Sequence, residues 1–272
     1  MKDFFILSID NDLNQVKQNR VKFALVIVLL FIVGALLNTP FSREVKRLNI
    51  EAGNTEINLN PNIMEEVTTT VMTSAGFGIL FAFLGLWLGH KTKLGTPLLS
   101  SYFSKNSLKD SGILKQIFYS MLLASLVAII LLILLEFQKS YYPVDSIMQR
   151  PSKPFYFFVA FSAGITEEII FRLSLMTLIV AFFQFMKSAE VPSKSMIWTA
   201  MFISSIFFGL LHLPLSKNFV EVSSFTVAVT MIGNLITGLT FGWIYWKRGL
   251  IIAIISHITF DLIFHVVGGP YA

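Results

Sequence analysis

Seven apolar runs, each long enough to cross a lipid bilayer, constrain the fold of this chain more than any other feature. A helix needs roughly 17–25 predominantly apolar residues to cross the hydrocarbon layer. In hydrocarbon every backbone polar group must be bonded within the protein, and a helix achieves this by itself. The sequence therefore predicts an all-α, polytopic membrane bundle of about seven transmembrane helices, with spans at about 21–38, 68–89, 113–135, 155–186, 196–213, 225–246 and 250–267.

The connections between these runs leave little sequence for a domain outside the membrane. Two polar connections, 39–66 and 89–112, carry residues that interrupt helices, such as Pro, Asn and Gly. We therefore predict a single transmembrane domain over 1–272. Within it, 1–154 holds three spans and their connections, and 155–268 holds the other four.

Basic residues between the spans predict the orientation of the bundle. With the N-terminus inside, the inner segments and the adjoining span ends hold 13 Lys and Arg: four before span 1 or in its first residues, five between spans 2 and 3 or in the first residues of span 3, two between spans 4 and 5, and two after span 6. The outer segments hold seven. Because cytoplasmic loops carry the excess of Lys and Arg, we expect a cytoplasmic N-terminus in a multi-pass protein of a prokaryotic plasma membrane. The net charge of +5 then reflects topology, and we expect contact with membrane lipids and not with nucleic acid.

Span 4 places three ionisable groups inside the stretch ITEEIIFR, whereas spans 1 to 3 carry almost no intramembrane charge. Left unpaired, Glu167, Glu168 and Arg172 would cost about 8–10 kcal/mol at mid-bilayer, since each charge costs about 2.5–3.5 kcal/mol there. Glu168 and Arg172 have the spacing and order of a helical ion pair. Glu167 points about 100° away on the helix and has no local partner, so we expect it to face a hydrated site.

Spans 5 and 7 add imidazole and carboxylate groups. Span 5 ends in FFGLLHLP, with Phe208 and His212 four residues apart, and span 7 reads SHITFDLIFH, which places His257, Asp261 and His265 on one helical face. Taken separately, His212 fits an interfacial histidine and the pair His257 and Asp261 fits a hydrogen bond within one helix. Polar groups on three helices of an apolar bundle together predict one shared pocket among spans 4–7.

This set of side chains suits hydrolysis by an activated water. The chain has no Cys, which excludes a thiol nucleophile and structural disulfides. A glutamate could deprotonate a water that a histidine also holds, with other His and Asp groups stabilising an oxyanion. Alternatively, Glu167, His212 and His257 could bind a divalent metal such as zinc, which would activate the water.

The polar groups form three ordered motifs: EExxxR at Glu167, Glu168 and Arg172, FxxxH at Phe208 and His212, and HxxxD at His257 and Asp261. This succession resembles the CPBP family, the CAAX prenyl proteases and bacteriocin-processing or self-immunity proteins that are also called the Abi family. The surrounding sequence is similar as well, because ITGLTFGWIYWKRGLIIAIISHITFD resembles the Gly-rich penultimate helix, turn and final helix of that family. The resemblance covers about 155–265.

The resemblance implies an intramembrane endopeptidase with its site inside the bundle. By analogy Glu167 is the base that activates water, His212 helps to hold that water, Glu168 and Arg172 shape the site, and His257 and Asp261 stabilise the oxyanion. Asparagine is common in the family where this chain has Asp261, and an ionised Asp cannot donate a hydrogen bond. This departure favours a protonated Asp261 or a metal, and the family is described both as metalloproteases and as metal-free glutamate enzymes.

The substrate implied by the family is a peptide or protein, either prenylated at a CAAX-like C-terminal end or a peptide pheromone or bacteriocin. Two alternatives from other classes remain at this stage. One is a proton- or cation-coupled transporter in which the buried acids and histidines form a relay. The other is a non-catalytic immunity or scaffold protein that binds a partner helix through small-residue faces such as Gly85/Gly89 and Gly238/Gly242.

Overall fold

The computed structural model describes residues 13–53, 59, 62–103, 112–144 and 146–269, with side chains from residue 17 onward. Over these residues the chain has seven helices that are long and apolar enough to cross a membrane. Within the same part of the chain, the one extended contact is an isolated bridge between Ser146 and Val220. The predicted all-α bundle with about seven spans is confirmed. The N-terminus, which we expect in the cytoplasm, lies outside the described residues.

Three of the spans contain a π-helical segment. The α-helices are α1 Leu13–Glu51, α2 Ile63–Phe83, α3 Pro97–Phe103, α4 Ile113–Tyr141, α5 Lys153–Glu167, α6 Thr177–Met186, α7 Lys194–Ser216, α8 Ser224–Arg248 and α9 Leu250–Asp261. The π segments are π1 Leu84–Leu88, π2 Glu168–Met176 and π3 Leu262–Val267. Span 4 is therefore α5, π2 and α6 in succession.

Helix α1 is longer than the first predicted span. The sequence predicts a polar connection from residue 39, but the helix continues through Pro40 to Glu51. Its distal part is amphipathic and buries a cluster that includes Phe41, Val45 and Leu48, at the spacing of one helical face. Packing of this face outweighs the loss of one backbone hydrogen bond at proline. The 35 residues of the span measure about 52 Å, so α1 extends beyond a hydrocarbon layer of about 30 Å.

Ion pairs also stabilise the distal end of α1. Arg47 bonds to Glu44 at 2.8 Å and contacts Glu51 within the helix. Arg43 pairs with Glu66 in the first turn of α2. The last of these contacts joins the two helices where they leave the apolar layer.

The second half of the chain forms the centre of the bundle. α1 packs on α5 and α2, α7 packs on α8, and α9 packs on α4 and α5. Small residues make these approaches close: a Cβ at Gly85 would lie 2.5 Å from Leu173 Cγ, and a Cβ at Gly238 would lie 2.7 Å from Ser205 Cβ. The small-residue faces are thus covered by helices of the same chain.

Candidate active site

Span 4 changes from α- to π-helix at the EExxxR motif. Over Glu168–Met176 the turns are wider, and hydroxyl groups bond carbonyls five residues back, Ser174 to Ile169 at 2.9 Å and Thr177 to Arg172 at 3.0 Å. Such π turns occur often at functional sites. Here the change separates Glu167, which ends α5, from Glu168, which begins π2.

Glu168 and Arg172 form the ion pair that their spacing predicts. Nε of Arg172 lies 3.4 Å from Oε2 of Glu168, and both side chains are almost completely buried. The guanidinium also lies 5.3 Å from the ring centroid of Phe208 and 3.5 Å from the Ser204 hydroxyl. A paired, ring-stacked arginine gives this acidic region a fixed positive charge inside the apolar bundle.

Glu168 also positions His257. Its Oε1 lies 2.9 Å from Nδ1 of His257, and because a carboxylate accepts, the imidazole donates through Nδ1–H. The imidazole stacks on Phe241 with ring centroids 4.3 Å apart and an interplanar angle of 20°. A ring held at one nitrogen and one face has its second nitrogen, Nε2, aimed in a defined direction.

That second nitrogen faces Glu167. Nε2 of His257 lies 3.8 Å from Oε2 of Glu167, and Nε2 of His212 lies 3.8 Å from Oε1. His212 is oriented in the same manner, since its Nδ1 is 2.8 Å from the carbonyl oxygen of Phe208. Both separations exceed a direct hydrogen bond and suit a water molecule that bridges the two groups. The structure thus brings side chains from spans 4, 5 and 7 to one point.

Asp261 completes the set on the Nε2 side of His257. Its Oδ2 lies 3.7 Å from Nε2 of His257, too far for a hydrogen bond. The alternative that these two residues merely lock one helix with a hydrogen bond is therefore wrong. Asp261 is buried and lies on the same side of the imidazole as Glu167, where it can contact a group bound between them.

A cleft of about 700 Å³ gives access to Glu167. It is bounded by α1, the first turns of α2, α5 and the end of α7. Glu167 retains 24% exposure, whereas Glu168 is fully buried. The volume falls within the usual range of ligand sites, about 300–1,000 Å³. The arrangement can hold a water beside a carboxylate and admit an extended substrate to it.

A family model described as type II CAAX prenyl endopeptidase Rce1-like matches residues 150–263. Residues 150–263 form an Rce1-like domain. The family resemblance that the three motifs indicate is thereby confirmed. At the level of the family, the Rce1-like domain is that of a CAAX-type intramembrane endopeptidase, which acts on peptides or proteins. No curated protein and no solved structure matches the chain.

The side chains of the Rce1-like domain do not fit a metal ion as they are placed. Over the described residues, no group of three or more His, Cys, Asp or Glu side chains is arranged to hold one. Around Glu167, the two imidazole nitrogens lie 3.8 Å from different carboxylate oxygens, and Oδ2 of Asp261 lies 3.7 Å from Nε2 of His257. The mechanism below therefore contains no metal step.

Three side chains of the Rce1-like domain have roles here that sequence reasoning missed or left open. Phe241 stacks on His257 and Ser204 contacts Arg172. Neither carries a charge, so the search for intramembrane ionisable groups could not single them out. His265, which follows the third motif at helical spacing, stacks on Tyr156 with ring centroids 5.3 Å apart and packs structurally.

Proposed function

We propose that this protein hydrolyses a peptide bond in a lipidated or membrane-associated peptide, with Glu167 as the base that activates water. One observation carries the proposal: within an Rce1-like domain, the carboxylate of Glu167 lies 3.8 Å from the free nitrogens of His212 and His257 at the end of a cleft. A base at water-bridging distance from its partners is what general-base hydrolysis requires.

The reaction proceeds in two stages. Glu167 takes a proton from water held between it and His212, while the water oxygen bonds to the carbonyl carbon of the substrate. The carbonyl oxygen becomes an oxyanion, and His257 Nε2, when the ring carries both protons, donates to it together with protonated Asp261. The carbon–nitrogen bond then breaks, and Glu167 passes its proton to the leaving amine. The products are a carboxylic acid and an amine.

Glu168 and Arg172 act through His257 in this scheme. Glu168 accepts from Nδ1 at 2.9 Å, which fixes the direction of Nε2. Arg172 offsets the negative charge of Glu168 in a place without water. They are positioning residues, and neither contacts the reacting bond.

The substrate class follows from the family and from the location of the site. The family description is of CAAX prenyl endopeptidases, so a prenylated or otherwise lipidated peptide is the first substrate to test, and a peptide pheromone or bacteriocin is the second. Two observations weigh against the other classes. Glu168, Arg172 and Asp261 are buried and do not line the cleft, unlike a transport relay, and the small-residue faces pack within the chain, unlike a scaffold's docking face.

Replacement of the proposed base tests the function. Glu167→Gln keeps the size of the side chain and removes its basicity, so we expect cleavage of a fluorogenic lipidated C-terminal peptide to fall by about 10²–10⁴-fold. The matched control is Glu136→Gln, the same change at an exposed position of α4, which we expect to cleave as the wild type does. Equal cleavage by Glu167→Gln and wild type, both purified and folded, would remove Glu167 from this role.

A further inference from the structure

The cleft that ends at Glu167 has a definite length and direction along α1. A Cβ at Gly34 would lie 2.8 Å from Cγ2 of Thr166, the neighbour of Glu167, so α1 passes the site at this residue. From there the cleft follows α1 as far as Asn49. Fifteen residues of helix measure about 22 Å, which is the length of about six or seven residues of an extended peptide.

The mouth of the cleft lies at one end of the bundle, and the cleft runs inwards from there to Glu167. The lining comes from the C-terminal half of α1, the first turns of α2, residues 159–167 of α5 and the C-terminal end of α7, where Leu215 lies and Asn218 follows. Glu66, which pairs with Arg43 and lies 3.8 Å from Lys46, is at the rim. This end is opposite the one at which α1 begins.

The charge of the two ends identifies the membrane face. By sequence position, seven Lys and Arg belong to the connections at the end with the cleft, and 13 belong to the connections and adjoining span ends on the other side. Since cytoplasmic connections carry the excess of basic residues, the cleft opens away from the cytoplasm. A peptide that reaches Glu167 must then come from the outer side.

The wall formed by α1 has the spacing of an extended peptide. Asn38 and Ser42 both line the cleft, one helical turn and about 6 Å apart. Alternate residues of an extended chain are about 6.6–6.8 Å apart and present their backbone groups to the same side. The Asn38 amide, which both donates and accepts, and the Ser42 hydroxyl can therefore bond backbone groups of alternate residues in one extended strand. Apolar residues between them, such as Ala35 and Val45, contact its side chains.

We infer that α1 is the substrate-binding wall of the site and that it receives an extended peptide segment on the outer face of the membrane, with Asn38 and Ser42 as positioning residues. That the bound peptide is then cleaved rests on the proposed function. The substrate class is thereby narrowed to exported peptides whose cleavage site enters the cleft in extended form while any lipid anchor remains in the bilayer.

The absence of Cys from the sequence makes the direction of the cleft directly measurable. Ser42→Cys places one thiol in the cleft, and Lys187→Cys, at an exposed position after α6, places one at the opposite end. We expect a membrane-impermeant maleimide to label Ser42→Cys in intact cells and to label Lys187→Cys only after permeabilisation. The reverse pattern would overturn the outward direction. Labelling needs no substrate, so this test of the direction of the cleft does not depend on whether the protein hydrolyses a peptide.

Cleavage assays test the substrate wall. With a peptide that the wild type cleaves, we expect attachment of the maleimide to Ser42→Cys to abolish cleavage relative to the same variant before labelling, and excess peptide to slow the labelling. Labelled Lys187→Cys should cleave at its unlabelled rate.

We also expect Asn38→Ala to raise KM severalfold with kcat nearly retained, because a positioning contact is lost. A labelled Ser42→Cys that still cleaves, or an unchanged KM for Asn38→Ala, would overturn the assignment of α1.

Discussion

At the scale of single residues, His257 is the side chain that contacts most of the other groups of the site. Its Nδ1 bonds Glu168 at 2.9 Å, its face rests on Phe241, and its Nε2 lies 3.7 Å from Asp261 and 3.8 Å from Glu167. Three carboxylates around one imidazole, with Arg172 behind them, form a charged cluster that an apolar bundle tolerates only when it is internally paired.

Asp261 is the residue at which this chain departs from the common family pattern, and its role can be isolated. If Asp261 acts by donating to the oxyanion, Asp261→Asn should keep activity within about tenfold of wild type, because the amide always donates. Asp261→Ala should lose about 10²–10³-fold in kcat, the usual effect of removing one such donor. Steady-state kinetics with a single peptide compare the three proteins. An inactive Asp261→Asn beside an active Asp261→Ala would contradict the donor role.

The ion pair of Glu168 and Arg172 predicts a separation of stability from activity. Glu168→Gln leaves Arg172 buried without its counter-charge, and we expect a loss of about 3–5 kcal/mol in the free energy of unfolding. The double variant Glu168→Gln, Arg172→Met should recover much of that stability, since an apolar side chain replaces the uncompensated charge, but it should not recover cleavage. Thermal unfolding in detergent measures the first quantity and peptide cleavage the second. Equal stability of the single variant and wild type would show that the pair is not a buried counter-charge.

At the scale of elements, small residues decide which helices can approach each other. Gly238 of α8 lies against Ser205 of α7, so an added Cβ would contact its backbone and side chain at 2.7–3.1 Å. Gly233, five residues earlier on the same helix, has nothing within 4 Å of an added Cβ. The two positions differ in packing and share the same helix propensity.

Alanine at these two glycines therefore gives opposite results. We expect Gly238→Ala to lower the free energy of unfolding by about 1–3 kcal/mol through overpacking. Gly233→Ala should leave it unchanged or raise it by up to about 1 kcal/mol, because alanine favours the helix. Unfolding of both variants in one detergent measures the difference. If both variants were equally stable, the close contact of α7 and α8 would not depend on Gly238.

At the scale of the whole molecule, four separate helices must assemble before the site exists. Glu167 comes from α5, His212 from α7, His257 and Asp261 from α9, and the access wall from α1. The assembled pocket presents two imidazole nitrogens to the carboxylate of Glu167, and Asp261 lies 3.7 Å from one of them. This geometry is the basis of our proposal that Glu167 itself activates the water.

This arrangement predicts insensitivity to chelators. Protein purified without added metal should cleave its peptide at the same rate before and after incubation with EDTA and 1,10-phenanthroline. Activity lost with chelator and restored by zinc would contradict the metal-free mechanism, and elemental analysis of the same samples would identify the ion. Glu167→Gln serves as the inactive reference for the assay.

The sequence by itself determined the spans and the chemical composition of the site. Length and hydropathy set the number of crossing helices, because a helix bonds all of its own backbone polar groups within the hydrocarbon layer. Helical spacing determined which groups share one face, and it predicted the pair of Glu168 and Arg172 correctly. Ionisable residues are rare in these apolar spans, and they are the residues that lie together in the pocket, since a buried charge needs a partner to offset its desolvation cost.

Only the tertiary structure decided which of those groups meet and from where a substrate can reach them. The bond from His257 to Glu168 joins residues 89 positions apart, and the π segment that begins at Glu168 packs against α2, α7 and α9. The extension of α1 and its role as a wall of the cleft depend likewise on contacts with α2 and α5. Local periodicity sets the faces of each helix, whereas the choice of facing partner is made by the fit of side chains across the bundle.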